Sequence, residues 1–195
     1  MTAATAFAGG FADPAREGAA VFRAALDAMA RPGRVRETTG AAPPEGLSPG
    51  AGAVLLCLAD ASTPVWLPPR LALGEVADWL RFHANAPAGA TREGAAFAVG
   101  RWDELLPLED WPAGDAAYPD RSTTLIVEVA ALDGGPELTL SGPGIDGRAV
   151  LAPALPAGTS RVLEANAARF PLGVDLFLTS GTRLVALPRT TRIGG

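Results

Sequence analysis

The stretch Phe170–Thr191, FPLGVDLFLTSGTRLVALPRTT, decides how the rest of the chain is read. Two apolar runs, Val174–Thr179 and Arg183–Leu187, flank Ser180-Gly181. Runs of this length around a glycine turn predict a β-hairpin. In the first run Val174, Leu176 and Leu178 share one face, and Phe177 lies on the other between Asp175 and Thr179. The second run is apolar on both faces, with Leu184 and Ala186 on one and Val185 and Leu187 on the other. Such a strand belongs inside a sheet covered on both sides. The hairpin is therefore expected at the centre of the fold, with the polar segment Pro188-Arg189-Thr190-Thr191 leaving it.

The flanking sequence supplies layers for that sheet. Asp13-Pro14 reads as the cap and first position of a helix, followed by Val21, Phe22, Ala25, Leu26 and Met29 at helical spacing and stopped by Arg31-Pro32-Gly33. Residues 38–51 read as a Pro/Gly-rich loop, Val54–Leu58 as a short apolar strand and Thr63–Leu67 as a second extended piece. Pro64 suits a strand start or an edge. A second helix is expected over Leu73–His83, with Val76, Trp79, Leu80 and His83 on one face and Asn85-Ala86-Pro87 as its stop. Ala96–Val99 reads as a strand, and Trp102–Asp120 as irregular with one helical turn near Glu104. Thr123–Ala131 and Glu137–Leu140 read as strands joined by a turn at Asp133-Gly134-Gly135. Ala149–Leu151 is a further short strand, and Thr159 or Ser160 is expected to cap a third helix reaching about Ala168. The mixture predicts an α/β domain with a mixed sheet and helices on both faces.

A chain of 195 residues suits one domain, and 48% hydrophobic content supports a packed core. The longest apolar run, around Ala51–Ala59, is far short of the roughly 20 residues that span a bilayer. The N-terminal segment has no basic residue ahead of its apolar part, so no signal peptide is expected and a cytoplasmic location fits. One cysteine, Cys57, excludes an internal disulfide. A net charge of −5 disfavours a general nucleic-acid partner. All 16 basic residues are arginine. Without lysine, neither a Schiff base on a side chain nor a Walker A loop can form. Phosphate groups would have to be met by arginine forks, backbone N–H groups or a partner protein.

Candidate site residues are few. His83, the one histidine, is either a base or ligand contact in Arg81-Phe82-His83, or a ring packed beside Trp79 at a helix end where its charge suits the dipole. Gly142, Gly144 and Gly147 match GxGxxG, but Pro143 intrudes and no helix follows, so they read as a glycine-rich turn. Asp175 requires either an arginine partner or solvent. Arg189, Thr190 and Thr191 offer a guanidinium fork and two hydroxyls to a phosphate or phosphonate, or else form a plain strand exit or a contact with a partner chain. Asp60, Asp120 and Arg121 read as polar loop surface. With no histidine or carboxylate cluster at ligand spacing, no dedicated metal site is expected.

Six segments in order, Phe22–Val35 (FRAALDAMARPGRV), Leu55–Leu67 (LLCLADASTPVWL), Arg81–Pro87 (RFHANAP), Thr124–Val129 (TLIVEV), Ser141–Ile145 (SGPGI) and Phe170–Arg192, resemble the PhnH family, a subunit of the bacterial carbon–phosphorus lyase core complex. The resemblance spans nearly the whole chain and is weakest over 38–51 and 101–121. It implies a three-layer α/β/α fold similar to the large domain of pyridoxal-phosphate-dependent transferases but lacking that cofactor. It also implies a homodimer that assembles with the G, I and J subunits (PhnG, PhnI and PhnJ). The implied role is accessory, in forming α-D-ribose 1-methylphosphonate 5-triphosphate from ATP and methylphosphonate with release of adenine. Magnesium would ride on the ATP substrate and no cofactor would be bound by this chain. The family supplies no established catalytic residue to carry over. Other readings are a stand-alone phosphate- or nucleotide-binding enzyme using Arg81, His83 and Arg189, and a pure interaction scaffold.

Overall fold

The computed structural model describes residues 7–194. Helix α1 (Pro14–Ala30) starts as its sequence dictates. The Asp13 carboxylate accepts the Arg16 N–H at 3.1 Å, and Pro14 occupies the first position, where its missing donor costs nothing. A two-residue strand β1 (Arg36–Glu37) follows.

The next element corrects the sequence reading. Val54–Leu58, expected as a strand, is the second half of helix α2 (Pro49–Leu58). The loop expected over 38–51 accordingly gives way to helix at Pro49. Ser48 caps α2, its Oγ accepting the Ala51 N–H at 3.2 Å. Gly50 through Leu55 are all buried, and a helix buried on every side carries no 3.6-residue polarity pattern. Its small residues permit close seating: a Cβ at Gly50 would lie 3.0 Å from the Gly181 carbonyl oxygen, to which the Gly50 N–H is bonded at 2.7 Å.

Strand β2 (Val65–Trp66) follows Pro64 at the sheet edge, and the short helix α3 (Pro69–Ala72) precedes α4 (Glu75–Ala84). The helix expected from Leu73 thus begins two residues later, leaving Leu73 98% exposed. Asn85, at φ 54°, ends it. Then come β3 (Phe97–Arg101), the helical turn α5 (Trp102–Leu105), β4 (Thr124–Glu128), β5 (Leu138–Ser141), β6 (Ala149–Leu151), α6 (Thr159–Ala167), β7 (Asp175–Ser180), β8 (Arg183–Leu187) and β9 (Arg192–Gly194). Neither Thr159 nor Ser160 is the cap of α6. Gly158, at φ 88°, precedes the helix, and the Thr159 hydroxyl instead donates to the Pro156 carbonyl at 2.8 Å.

The main sheet has the order β1-β8-β7-β4-β3-β2. Strands β2, β3, β4 and β7 run parallel, and β8 and β1 run antiparallel to their neighbours. The hairpin β7–β8 lies inside the sheet, paired on both flanks, as its two-faced apolar pattern requires. Phe177, Leu184 and Ala186 pack with Ala25, Ala28, Val54, Leu55, Trp79 and Leu80 beneath α1, α2 and α4. Leu176, Leu178, Val185 and Leu187 pack on the other face with Trp102, Leu105, Leu138, Leu140 and Leu163. That second layer is composite. Helices α5 and α6 share it with a small antiparallel sheet of order β6-β5-β9.

The turn expected to join β4 to β5 as a hairpin at Asp133-Gly134-Gly135 does not do so, because the two strands belong to different sheets. Both edges of β4 are taken by parallel partners, β3 and β7, so no slot remains for β5. The chain leaves the main sheet there and builds the second one.

Candidate functional site

The exit from the central hairpin is tied down by Arg189. Its Nε donates to Asp175 Oδ1 at 3.1 Å, and its Nη2 donates to Asp175 Oδ2 at 2.5 Å and also to Ser122 Oγ. Its Nη1 donates to the carbonyls of Pro119 at 2.8 Å and Pro171 at 3.5 Å. A guanidinium carries five N–H donors, and all five are engaged. The Arg189 backbone N–H adds a further bond to Asp175 Oδ1 at 2.8 Å. Asp175 therefore takes the arginine partner left open by the sequence, and Arg189 clamps the start of β7 to the loops before β4 and β7. Thr191 is buried with its Oγ1 unpartnered among the described residues, while its N–H donates to the Pro188 carbonyl. Thr190 and Arg189 line a cavity of about 260 Å³ with Pro143, Ala167, Phe170 and Arg192. Arg189 also lines a small cavity with Thr191, so it borders both neighbours of the segment, with all its side-chain donors already engaged.

Arg81 and His83 share α4 but face different surroundings. Arg81 is exposed and bonds Asp78 Oδ1 at 2.9 Å and the Ala88 carbonyl at 3.2 Å. The His83 ring packs 5.4 Å from the Trp79 ring and 4.8 Å from that of Phe82, as the plainer reading expected. Its Nε2 is buried and unpartnered among the described residues. His83 lines a cleft of about 370 Å³ with Phe11, Gly18, Phe22, Leu56 and Cys57. The Cys57 thiol donates to the Gly18 carbonyl at 3.4 Å, and burial pushes its pKa up. Arg189 is elsewhere, beside Leu163 and Leu176 of the opposite face.

At the carboxyl ends of β3 and β4 a charged group closes the sheet edge. Arg70 forks onto Glu104 at 2.8 and 3.1 Å and also bonds the Gly46 carbonyl. Glu128 accepts the Ser48 N–H at 2.9 Å at the start of α2. Burial pushes the Glu128 pKa up, opposed by its bonds from Ser48.

A further cleft, about 360 Å³, was missed by sequence reasoning. It lies between Arg31-Pro32-Gly33-Arg34 at the end of α1 and Gly144–Asp146 with Arg148 and Ala149 of the β5–β6 connection. The GxGxxG match is the glycine-rich turn of this antiparallel pair: Gly142, Gly144 and Gly147 have φ of 124°, 80° and 70°. The available signal was an arginine beside a glycine turn in two separated segments of a lysine-free chain. Among the described residues, no group of three or more His, Cys, Asp or Glu side chains is placed to hold a metal ion. No helix among them is long and apolar enough to cross a membrane.

Fold and clefts together define a mixed α/β domain whose basic side chains are all guanidinium groups. The chain belongs to the PhnH family: the family model described as "Bacterial phosphonate metabolism protein (PhnH)" matches residues 9–194. The chain is similar to the alpha-D-ribose 1-methylphosphonate 5-triphosphate synthase subunit PhnH of Rhizobium meliloti (strain 1021). Identity is 44% over 190 residues, covering 96% of this chain and 95% of the relative. It is also similar to the putative C-P lyase subunit protein HtxG of Stutzerimonas stutzeri, at 38% identity over 106 residues and 53% of each chain.

Proposed function

We propose that this chain is the PhnH subunit of an assembly that forms α-D-ribose 1-methylphosphonate 5-triphosphate in phosphonate catabolism. The observation that carries the reading is the 44% identity to a subunit of that synthase along 96% of the chain. The reaction joins methylphosphonate to the ribose of ATP and releases adenine, so the two reactants must be aligned and the triphosphate charge held. The chain works as a homodimer with the G, I and J subunits in the cytoplasm, and Mg-ATP enters as substrate of the assembly. The shape akin to pyridoxal-phosphate-dependent transferases is used without that cofactor, since the sequence has no lysine to form its aldimine. The role is accessory, in keeping with candidate residues that lie on different faces of the sheet.

The test is co-expression with the G, I and J counterparts, followed by affinity purification and measurement of adenine release. Co-purification, and loss of product when this chain is omitted, are expected. Failure to co-purify, with undiminished product in its absence, rejects the reading.

A further inference from the structure

The arginine-lined cleft at the end of α1 has a composition that no structural role uses up. Its two walls are seated directly against each other. A Cβ at Gly144 would fall 2.0 Å from the Ala30 carbonyl oxygen and 3.1 Å from Pro32 Cδ, so only glycine lets the turn approach the helix end. Gly33, at φ 82°, likewise lies against Leu140, where a Cβ would come within 2.7 Å of Cδ1. These contacts bring Arg34 and Arg148, one from each wall, into the lining of one opening.

The charges there are only partly satisfied. Arg31 is paired with Asp27, which it shares with Arg36. Arg34 and Arg148 make no ion pair or side-chain hydrogen bond among the described residues and are exposed. The floor adds donors of a second kind. In the β5–β6 turn the Ile145 N–H bonds the Gly142 carbonyl, whereas the N–H groups of Gly144 and Asp146, both lining the cleft, donate to no group among the described residues. Gly144, at φ 80°, has no side chain to cover its amide, and such glycine turns suit anions. Arginine forks match the tetrahedral oxygens of a phosphoryl group in the same way. Asp146 repels any anion, but three arginines line the same cleft, and the attraction of their net positive charge grows with the number of negative charges on the ligand.

We propose that the cleft between Arg31–Arg34 and Gly144–Arg148 binds a polyphosphate chain, the triphosphate of a nucleotide or of its ribosyl product. The inference rests on the proposed function for its choice of ligand; the site itself rests on the geometry. It assigns this chain a positioning role, holding the charged tail while the ribose end is presented elsewhere.

The experiment uses the full-length chain, labelled with nitrogen-15 and titrated with sodium tripolyphosphate, methylphosphonate and sulfate at matched ionic strength. Tripolyphosphate is expected to shift the Gly144 and Asp146 amide signals saturably, with sulfate and methylphosphonate binding far more weakly. The double variant Arg34→Glu/Arg148→Glu is expected to lose affinity by about a hundredfold, roughly tenfold for each charge-assisted contact. Both side chains are exposed, so its melting temperature should be unchanged; Arg34→Gln/Arg148→Gln is the second variant should the first misfold. No saturable shift at these two amides, an equal response to sulfate (an adventitious ion only), preferential binding of methylphosphonate, or unchanged affinity in the folded variants each overturns the proposal. Co-purification of the double variant with the G, I and J subunits separates the two readings. A variant that still assembles alongside a wild-type chain that never binds tripolyphosphate rejects the cleft and leaves the subunit role standing.

Discussion

Replacing Arg189 with methionine removes the five side-chain donors that tie β7 to two loops, while keeping much of the aliphatic stem. Within the Arg189–Asp175 pair the side chains are 10% and 23% exposed, so both charges are largely out of water. Breaking a buried pair by deleting one partner costs about 3–5 kcal/mol, because the other charge is stranded. Asp175 keeps the Arg189 backbone N–H and some solvent, which puts the expected loss near the lower end, about 3 kcal/mol. In a domain of this size that corresponds to a fall in melting temperature of roughly 6–12 °C. Arg189→Lys should recover little, since an ammonium has three donors and no planar fork to span Asp175, Ser122 and the Pro119 carbonyl. Asp175→Asn in the Arg189→Met background should restore part of the loss by removing the stranded charge. Thermal melts by circular dichroism with urea titrations of all four proteins measure this. An Arg189→Met chain that melts within about 2 °C of wild type, below what about 1 kcal/mol would produce, would refute the structural role.

Three other outcomes follow from the packing. Glu128 has its folded pKa raised by burial, so the folded state holds its proton more tightly than the unfolded chain. Its contribution is then fully present below the ordinary carboxylate pKa and lost as pH rises through the raised folded value. Glu128→Gln keeps an acceptor for the Ser48 N–H, and urea midpoints should show a flatter decline from about pH 4 to about pH 8 than wild type; an unchanged slope refutes this. Gly144→Ala meets the Ala30 carbonyl at 2.0 Å as well as the positive-φ penalty, whereas Gly147→Ala meets nothing within 4 Å. The first should cost well over the roughly 1–2 kcal/mol of the second, and equal destabilisation would contradict the seating of the turn on α1. Cys57, its thiol pKa raised by burial, should react with a disulfide reagent at neutral pH at least about tenfold more slowly than free cysteine; an equal rate would show the cleft beside Gly18 to be open to it.

How far each element could be read from residues alone depended on whether its signal was local. The β7–β8 hairpin was legible because burial on two faces writes apolar residues at every position, and β8 is buried on both. Helix α1 was legible because Asp13 and Pro14 act within one turn of the residues they start. Helix α2 was not, because a helix buried all round loses the periodicity that separates it from a strand. The partner of β5 was hidden for another reason: strand pairing is a competition for edges, and β4 had both taken.

The candidate site divides in the same way. By itself, the sequence determined that anions meet guanidinium and backbone rather than ammonium, since the absence of lysine needs no coordinates. It also determined that the glycine-rich segment was a turn, and left Asp175 open between an arginine partner and solvent. Only the tertiary structure decided that Arg189 spends every donor on Asp175, Ser122 and two carbonyls. It alone brought Arg34 and Arg148, more than a hundred positions apart in the chain, into the lining of one cleft. The physical reason is that composition and local propensity are properties of neighbours along the chain. Which donors remain free is a property of neighbours in space, set once the sheet has chosen its strand order and the layers have closed over it.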